Sequence, residues 1–167
     1  MIKTLRTLTV ISACALLGAC GFHLRGQSTL PYETMYISAG PSSVTAALLK
    51  RTIEAQSEAR VTDKADEAQV VLHVLIDSQT KEILSLNSAG RVREFQLLHR
   101  FGFRISGAKG EQIAPPQQVL VKRDVTFSDD RLLAKEQEQE IIYREMREDV
   151  VQQVMRRLQA ISRAKNS

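Results

Sequence analysis

The residue whose setting carries the most chemistry is Cys20. It closes Leu17-Gly18-Ala19-Cys20, behind an apolar run from Leu8 to Leu17 that follows Lys3 and Arg6. A short cationic start and an apolar stretch too short to span a bilayer are the parts of an export signal. An ordinary secretory site needs no thiol. A thiol directly after two small residues and a Leu completes a bacterial lipobox, in which diacylglycerol alkylates the sulfur before the bond on its N-terminal side is cut. The new amine is then acylated, and Gly18 and Ala19 let the backbone enter the peptidase cleft. The expected processed chain runs from Cys20 to Ser167, 148 residues, and keeps no second thiol because Cys14 leaves with the signal. Several acyl chains on one Cys make a stable anchor. Gly21 follows the Cys, where Asp would favour inner-membrane retention, so the expected location is the outer membrane with the body facing the periplasm.

Other reactive constellations are missing from the sequence. It holds no Gly-x-Ser-x-Gly, His-Glu-x-x-His or Cys-x-x-Cys, and no glycine-rich phosphate loop. His23 falls in the leader, while His73 and His99 fall within apolar strand patterns and are expected to be packed and hydrogen-bonded. No catalytic or metal-ligating residue is assigned, and no cofactor beyond the covalent lipid on Cys20 is expected. A formal charge of +4 on 167 residues, falling to +2 after processing, is too mild for a nucleic-acid partner. The acids of the last helix, Glu136 to Asp149, read as a solvated face. The basic residues at the ends of elements fit an anion better. Arg91 and Arg93 follow the Asn87-Ser88-Ala89-Gly90 turn, Lys122 and Arg123 lie along a later strand, and Lys135 opens the last helix. Arg meets phosphate with a bidentate fork and Lys with a point charge.

These residues need a scaffold, and the length allows one domain. Thr34 to Ser38 is a short strand, Gly40-Pro41-Ser42-Ser43 a turn with an N-cap, and Val44 to about Gln56 a helix. A polar link from Thr62 to Gln69 leads to Val70–Ile76, apolar on both parities and therefore central or covered on both sides. The strand–helix–strand order implies parallel pairing of these first strands. Phe95, Leu97, Phe101, Phe103 and Ile105 alternate with Glu94, Gln96, Arg100 and Arg104, a long strand with one core face. A loop is expected from Gly107 to Pro115-Pro116, then a strand carrying Val119, Val121, Val125 and Phe127. Ser128-Asp129-Asp130 caps a helix from about Leu132 to Arg163, with Ile142, Met146, Val150, Val154, Leu158 and Ile161 as its spine. The fold class is α+β, two helices packed on a four-stranded mixed β-sheet in a single domain. The expected division is 1–19 signal peptide, 20–33 lipidated N-terminus and extended leader, 34–163 domain, and 164–167 polar tail.

Cys20-Gly21-Phe22-His23-Leu24-Arg25-Gly26 resembles the opening of the mature lipopolysaccharide-assembly lipoproteins, the LptE or rare lipoprotein B family. Glu94-Phe95-Gln96-Leu97, Leu133-Ala134-Lys135-Glu136 and Gln139-Glu140 add support. The resemblance implies a non-enzymatic outer-membrane lipoprotein that plugs a large β-barrel translocon (LptD-like) and assists lipopolysaccharide assembly at the cell surface. It also implies that the anion for Arg91, Arg93 and Lys135 is lipopolysaccharide. The alternative is a structural or pilot lipoprotein of another envelope complex, without glycolipid contact.

Overall fold

The computed structural model describes residues 30–126 and the backbone of 132–165, with side chains from 136 to 161 in that last segment. Cys20, the signal peptide, most of the leader, Phe127 and the Ser128-Asp129-Asp130 cap lie outside the described residues.

Strand β1 (Thr34–Ser38) buries Met35 and enters helix α1 (Val44–Gln56). Ser43 is the N-cap, its Oγ accepting from the Ala46 N–H at 3.1 Å, which satisfies a donor the first turn leaves open. Thr45, Ala46, Leu49 and Ile53 face inward from α1. Strand β2 (Arg60–Thr62) follows and pairs parallel with β1, Met35 opposite Val61. A short 3₁₀ turn, Ala65–Glu67, leads to β3 (Val70–Leu86), which pairs parallel with the other side of β1. Strands β4 (Val92–Gly107) and β5 (Gln112–Thr126) continue antiparallel, giving the order β2-β1-β3-β4-β5.

The mixed sheet thus has five strands instead of four. The extra one is β2, three residues beside the expected polar link, too short to show a period of two. Parallel pairing of β1 and β3 is as expected. The strand at Val70 continues ten residues past Ile76, because the register slips between Val74 and Ile76 and Leu75 has no partner. That bulge reverses the parity: before it Leu72 and Val74 face the core, and after it Asp77, Gln79 and Lys81 stand opposite the core-face residues Phe101, His99 and Leu97. The loop expected up to Pro115-Pro116 is shorter. Strand β5 resumes at Gln112 and carries both prolines at a slip where Phe103 pairs Gln117 and Ile105 pairs Ala114. A proline has no amide to give, so it is tolerated at an edge and at a bulge.

Both hairpins close the same way. Asn87 N–H donates to Arg91 O and Gly107 N–H to Glu111 O, each at 2.8 Å, around Gly90 (φ 74°) and Gly110 (φ 85°). That left-handed conformation is open to glycine at no steric cost.

Helix α2 (Leu132–Lys165) buries Tyr143, Met146, Val150, Val151, Val154, Met155 and Leu158. Both helices cover one face, where Phe101, Phe103, Leu97, Ile105, Val119 and Met35 meet Leu49 and Ile53 in one cluster. The Arg123 guanidinium bonds Asp149, and Arg157 Nη1 donates to Gln118 O at 2.8 Å, pinning α2 along β5.

Candidate functional site

Lys81 places the start of α2 relative to the sheet. Its Nζ donates to Gln139 Oε1 at 2.7 Å and lies 4.0 Å from the centroid of the Phe95 ring. Tyr143 Oη reaches Thr80 O at 3.4 Å. The N-terminal turns of α2 therefore run at the end of the sheet occupied by the β3–β4 hairpin. Arg91 lies in the hairpin turn, its N–H donating to Asn87 Oδ1 at 3.0 Å, and Arg93 is exposed two residues on. Lys135 sits one turn before Gln139 in α2, and its side chain is outside the described residues. The topology brings the three expected phosphate contacts to one end of the molecule.

In an unbroken strand Arg91 and Arg93, two residues apart, would share a face. The structure differs: Ser85 pairs Glu94 and Leu86 pairs Val92, so Arg93 stands opposite no residue. Leu84 is likewise unpaired on the facing strand, since Ile83 pairs Phe95. Two offset irregularities make the hairpin tip a twisted arm rather than a flat ribbon.

The other basic residues are more ordinary. Lys122 is exposed on the face away from the helices, and Arg123 is engaged with Asp149. The acids of α2 are exposed at Glu136, Glu138, Glu140, Glu145 and Glu148.

A polar cluster at the margin of the core was not anticipated in detail. His99 is completely buried, and its Nε2 lies 2.9 Å from Asp77 Oδ1. Ser43 Oγ donates to Asp77 Oδ2 at 2.6 Å and Thr45 Oγ1 to Asp77 Oδ1 at 2.9 Å. The Asp77 residue is open along its backbone, but its side chain is only 18% exposed. Burial pushes the carboxyl upward; the hydrogen bonds from His99, Ser43 and Thr45, with the His99 charge, outweigh it and hold the group below its ordinary value of 3.8. Serine, aspartate and histidine are present, but in the wrong order for nucleophilic catalysis. Thr45 Oγ1 also lies 3.3 Å from His99 Nε2, but both hydroxyls donate to the carboxylate, and the buried imidazole and threonine give a substrate no access. His99 Nδ1 is buried without a hydrogen-bond partner. The cluster ties the N-cap of α1 to strands β3 and β4. His73 Nε2 lies 2.9 Å from Ser106 Oγ, and burial, then the Arg104 charge, lowers its pKa.

Among the described residues no group of three or more His, Cys, Asp or Glu is placed to hold a metal ion. No described helix is long and apolar enough to cross a membrane.

Sequence patterning does not single out Ile83, Leu84 and Leu86 in the second half of β3, which are exposed by 60, 47 and 56% at the hairpin tip. Their signal was an apolar run ending at an Asn-Ser-Ala-Gly turn, hidden because the bulge at Leu75 breaks the alternation before it.

A family model described as lipopolysaccharide-assembly, LptE, matches residues 32–158. A protein of Pectobacterium atrosepticum named LPS-assembly lipoprotein LptE is 31% identical over 161 residues, spanning 93% of this chain and 85% of its own length. A lipoprotein B of Nitrosomonas europaea, solved in solution by NMR, superposes with TM-score 0.77 at 37% identity, over 86% of this chain and 94% of its own. The rare lipoprotein B of Shewanella oneidensis shares the fold, with TM-score 0.69 at 21% identity, covering 80% of this chain and 99% of that one.

Proposed function

The chain belongs to the lipopolysaccharide-assembly LptE family, and on that premise we propose that it is a lipid-anchored outer-membrane protein that fills a large β-barrel translocon of the LptD kind and handles lipopolysaccharide there. It is a non-enzymatic assembly lipoprotein. Cys20 supplies the anchor through its diacylglycerol and N-acyl groups. The body, with two helices on one face of the sheet, supplies the surface against the barrel.

The observation that carries the glycolipid reading is the meeting of Arg91, Arg93 and the start of α2 at one end of the molecule. Lipid A and the inner core are polyanionic, and guanidinium groups at an exposed tip can engage phosphates without enclosing them. Such contacts are individually modest and weakened by salt.

Reversing Arg91, Arg93 and Lys135 to Glu tests the assignment. Lipopolysaccharide binding in low salt is expected to fall by about tenfold or more, about 1.4 kcal/mol, with the far-ultraviolet circular dichroism and the barrel complex unchanged. Unaltered glycolipid binding by the folded triple variant places the contact elsewhere. Purification of the wild-type lipoprotein from detergent extracts, without a stoichiometric barrel, favours a pilot role in another envelope complex.

A further inference from the structure

The β3–β4 arm carries three large aliphatic side chains within four residues, Ile83, Leu84 and Leu86, each about half exposed or more. No other stretch of that length among the described residues exposes three. Single exposed aliphatics need no explanation, but a cluster at the tip of an arm points to something that covers it. Among the described residues the core offers no cover: Ile83 pairs with Phe95 on the helix-bearing face and still remains open. Leu84 is freed from the ladder by one irregularity and Arg93 by the next, so an aliphatic and a cation leave the two strands within a step of each other.

Charge and apolarity together select the occupant. An inorganic phosphate or a sugar phosphate would engage Arg91 and Arg93 and leave the aliphatics in water. An uncharged lipid would do the reverse. A polar barrel lumen likewise offers nothing to Leu84 and Leu86. An acylated, phosphorylated amphiphile satisfies both sets at once. Resting on the lipopolysaccharide reading above, we infer that Ile83, Leu84 and Leu86 form an acyl-chain contact beside the arginines, so that the hairpin tip grips lipid A by its chains as well as by its phosphates. The arm then meets the head-group boundary of the glycolipid, with the turn at Ala89 toward the phosphates.

The test uses the full lipidated chain in living cells, with the photoreactive residue benzoylphenylalanine placed singly at 84, 86, 89 or 141. Ile141 is an exposed aliphatic on α2 and serves as reference. Lipopolysaccharide adducts are expected at 84, 86 and 89 and not at 141. Adducts at 89 alone overturn the acyl contact and leave the glycolipid reading standing. Barrel-protein adducts at 84 and 86 in place of glycolipid make the aliphatics a protein-docking patch, and phospholipid adducts make them a bilayer anchor; either overturns the inference. No glycolipid adduct at any position overturns both readings. With the purified barrel complex, an Ile83→Ser, Leu84→Ser, Leu86→Ser variant provides a binding measurement. The wild type is expected to favour intact over de-O,N-acylated lipopolysaccharide by about tenfold more than the variant does. Equal discrimination by the two proteins overturns the contact.

Discussion

Asp77 is the residue on which two layers of the molecule hang. One carboxylate takes hydrogen bonds from Ser43 and Thr45 of the α1 entry and from His99 of β4. Its pKa is depressed in the folded chain despite burial, so it stabilises the fold above its unfolded value near 3.8. That contribution disappears as the pH falls through the still lower folded value. Asp77→Asn keeps the shape but removes the charge-assisted bonds and should cost about 2 kcal/mol at neutral pH. The difference between variant and wild type should narrow as the pH falls below 3.8, because the wild-type carboxyl then begins to protonate too. Urea unfolding across that range measures it, and a constant difference at every pH refutes the assignment. The sequence places His99 on the core face of β4 and marks it as hydrogen-bonded, but not its partner. Asp77 lies past the bulge, where parity counted from Val70 would turn it to the other face.

At the scale of the elements, Leu75 shows why part of the sheet was legible and part was not. Strand β4 reads cleanly because its core positions from Phe95 to Ile105 keep one parity throughout, and α2 reads cleanly because its spine repeats over many turns. Strand β3 carries an unpaired residue, so a pattern of two works on each side of Leu75 but not across it. Strand β2 is three residues long and has no pattern to read. The hairpin site was half visible: the arginines stand after a turn signal, but the aliphatics before it belong to a stretch whose period had already been lost. A deletion experiment separates the two kinds of position. Removing Leu75 leaves every remaining β3 residue opposite the partner it has now, so the chain should fold cooperatively with a loss of no more than about 2 kcal/mol. Removing Leu72 forces one half of the strand to turn over and should abolish cooperative unfolding, followed by circular dichroism during denaturation.

For the whole molecule, the division of labour between tether and body is the question of consequence. Tyr32, in the stretch expected from sequence as leader, belongs to the core cluster of the described residues. A stable protein interface commonly buries about 1,200–2,000 Å², which a single-domain body of this size can provide. A Cys20→Ala chain is therefore expected to take up no labelled palmitate and yet to co-purify with the barrel; retention of label refutes the lipidation site, and loss of the complex by a folded, exported variant makes the anchor essential to assembly. The two margins of the sheet bear on how such a chain avoids pairing with its own copies. One margin is the three-residue β2; the other is β5, interrupted by Pro115 and Pro116, lined by Lys122 and Arg123, and with the Gln118 carbonyl already occupied by Arg157. The first is too short to template a second chain, and on the second the prolines, the basic side chains and the occupied carbonyl discourage one. These margins disfavour edge-to-edge pairing between two copies of the chain, and a proposed partner made of strands would be met through side chains rather than by extension of its sheet.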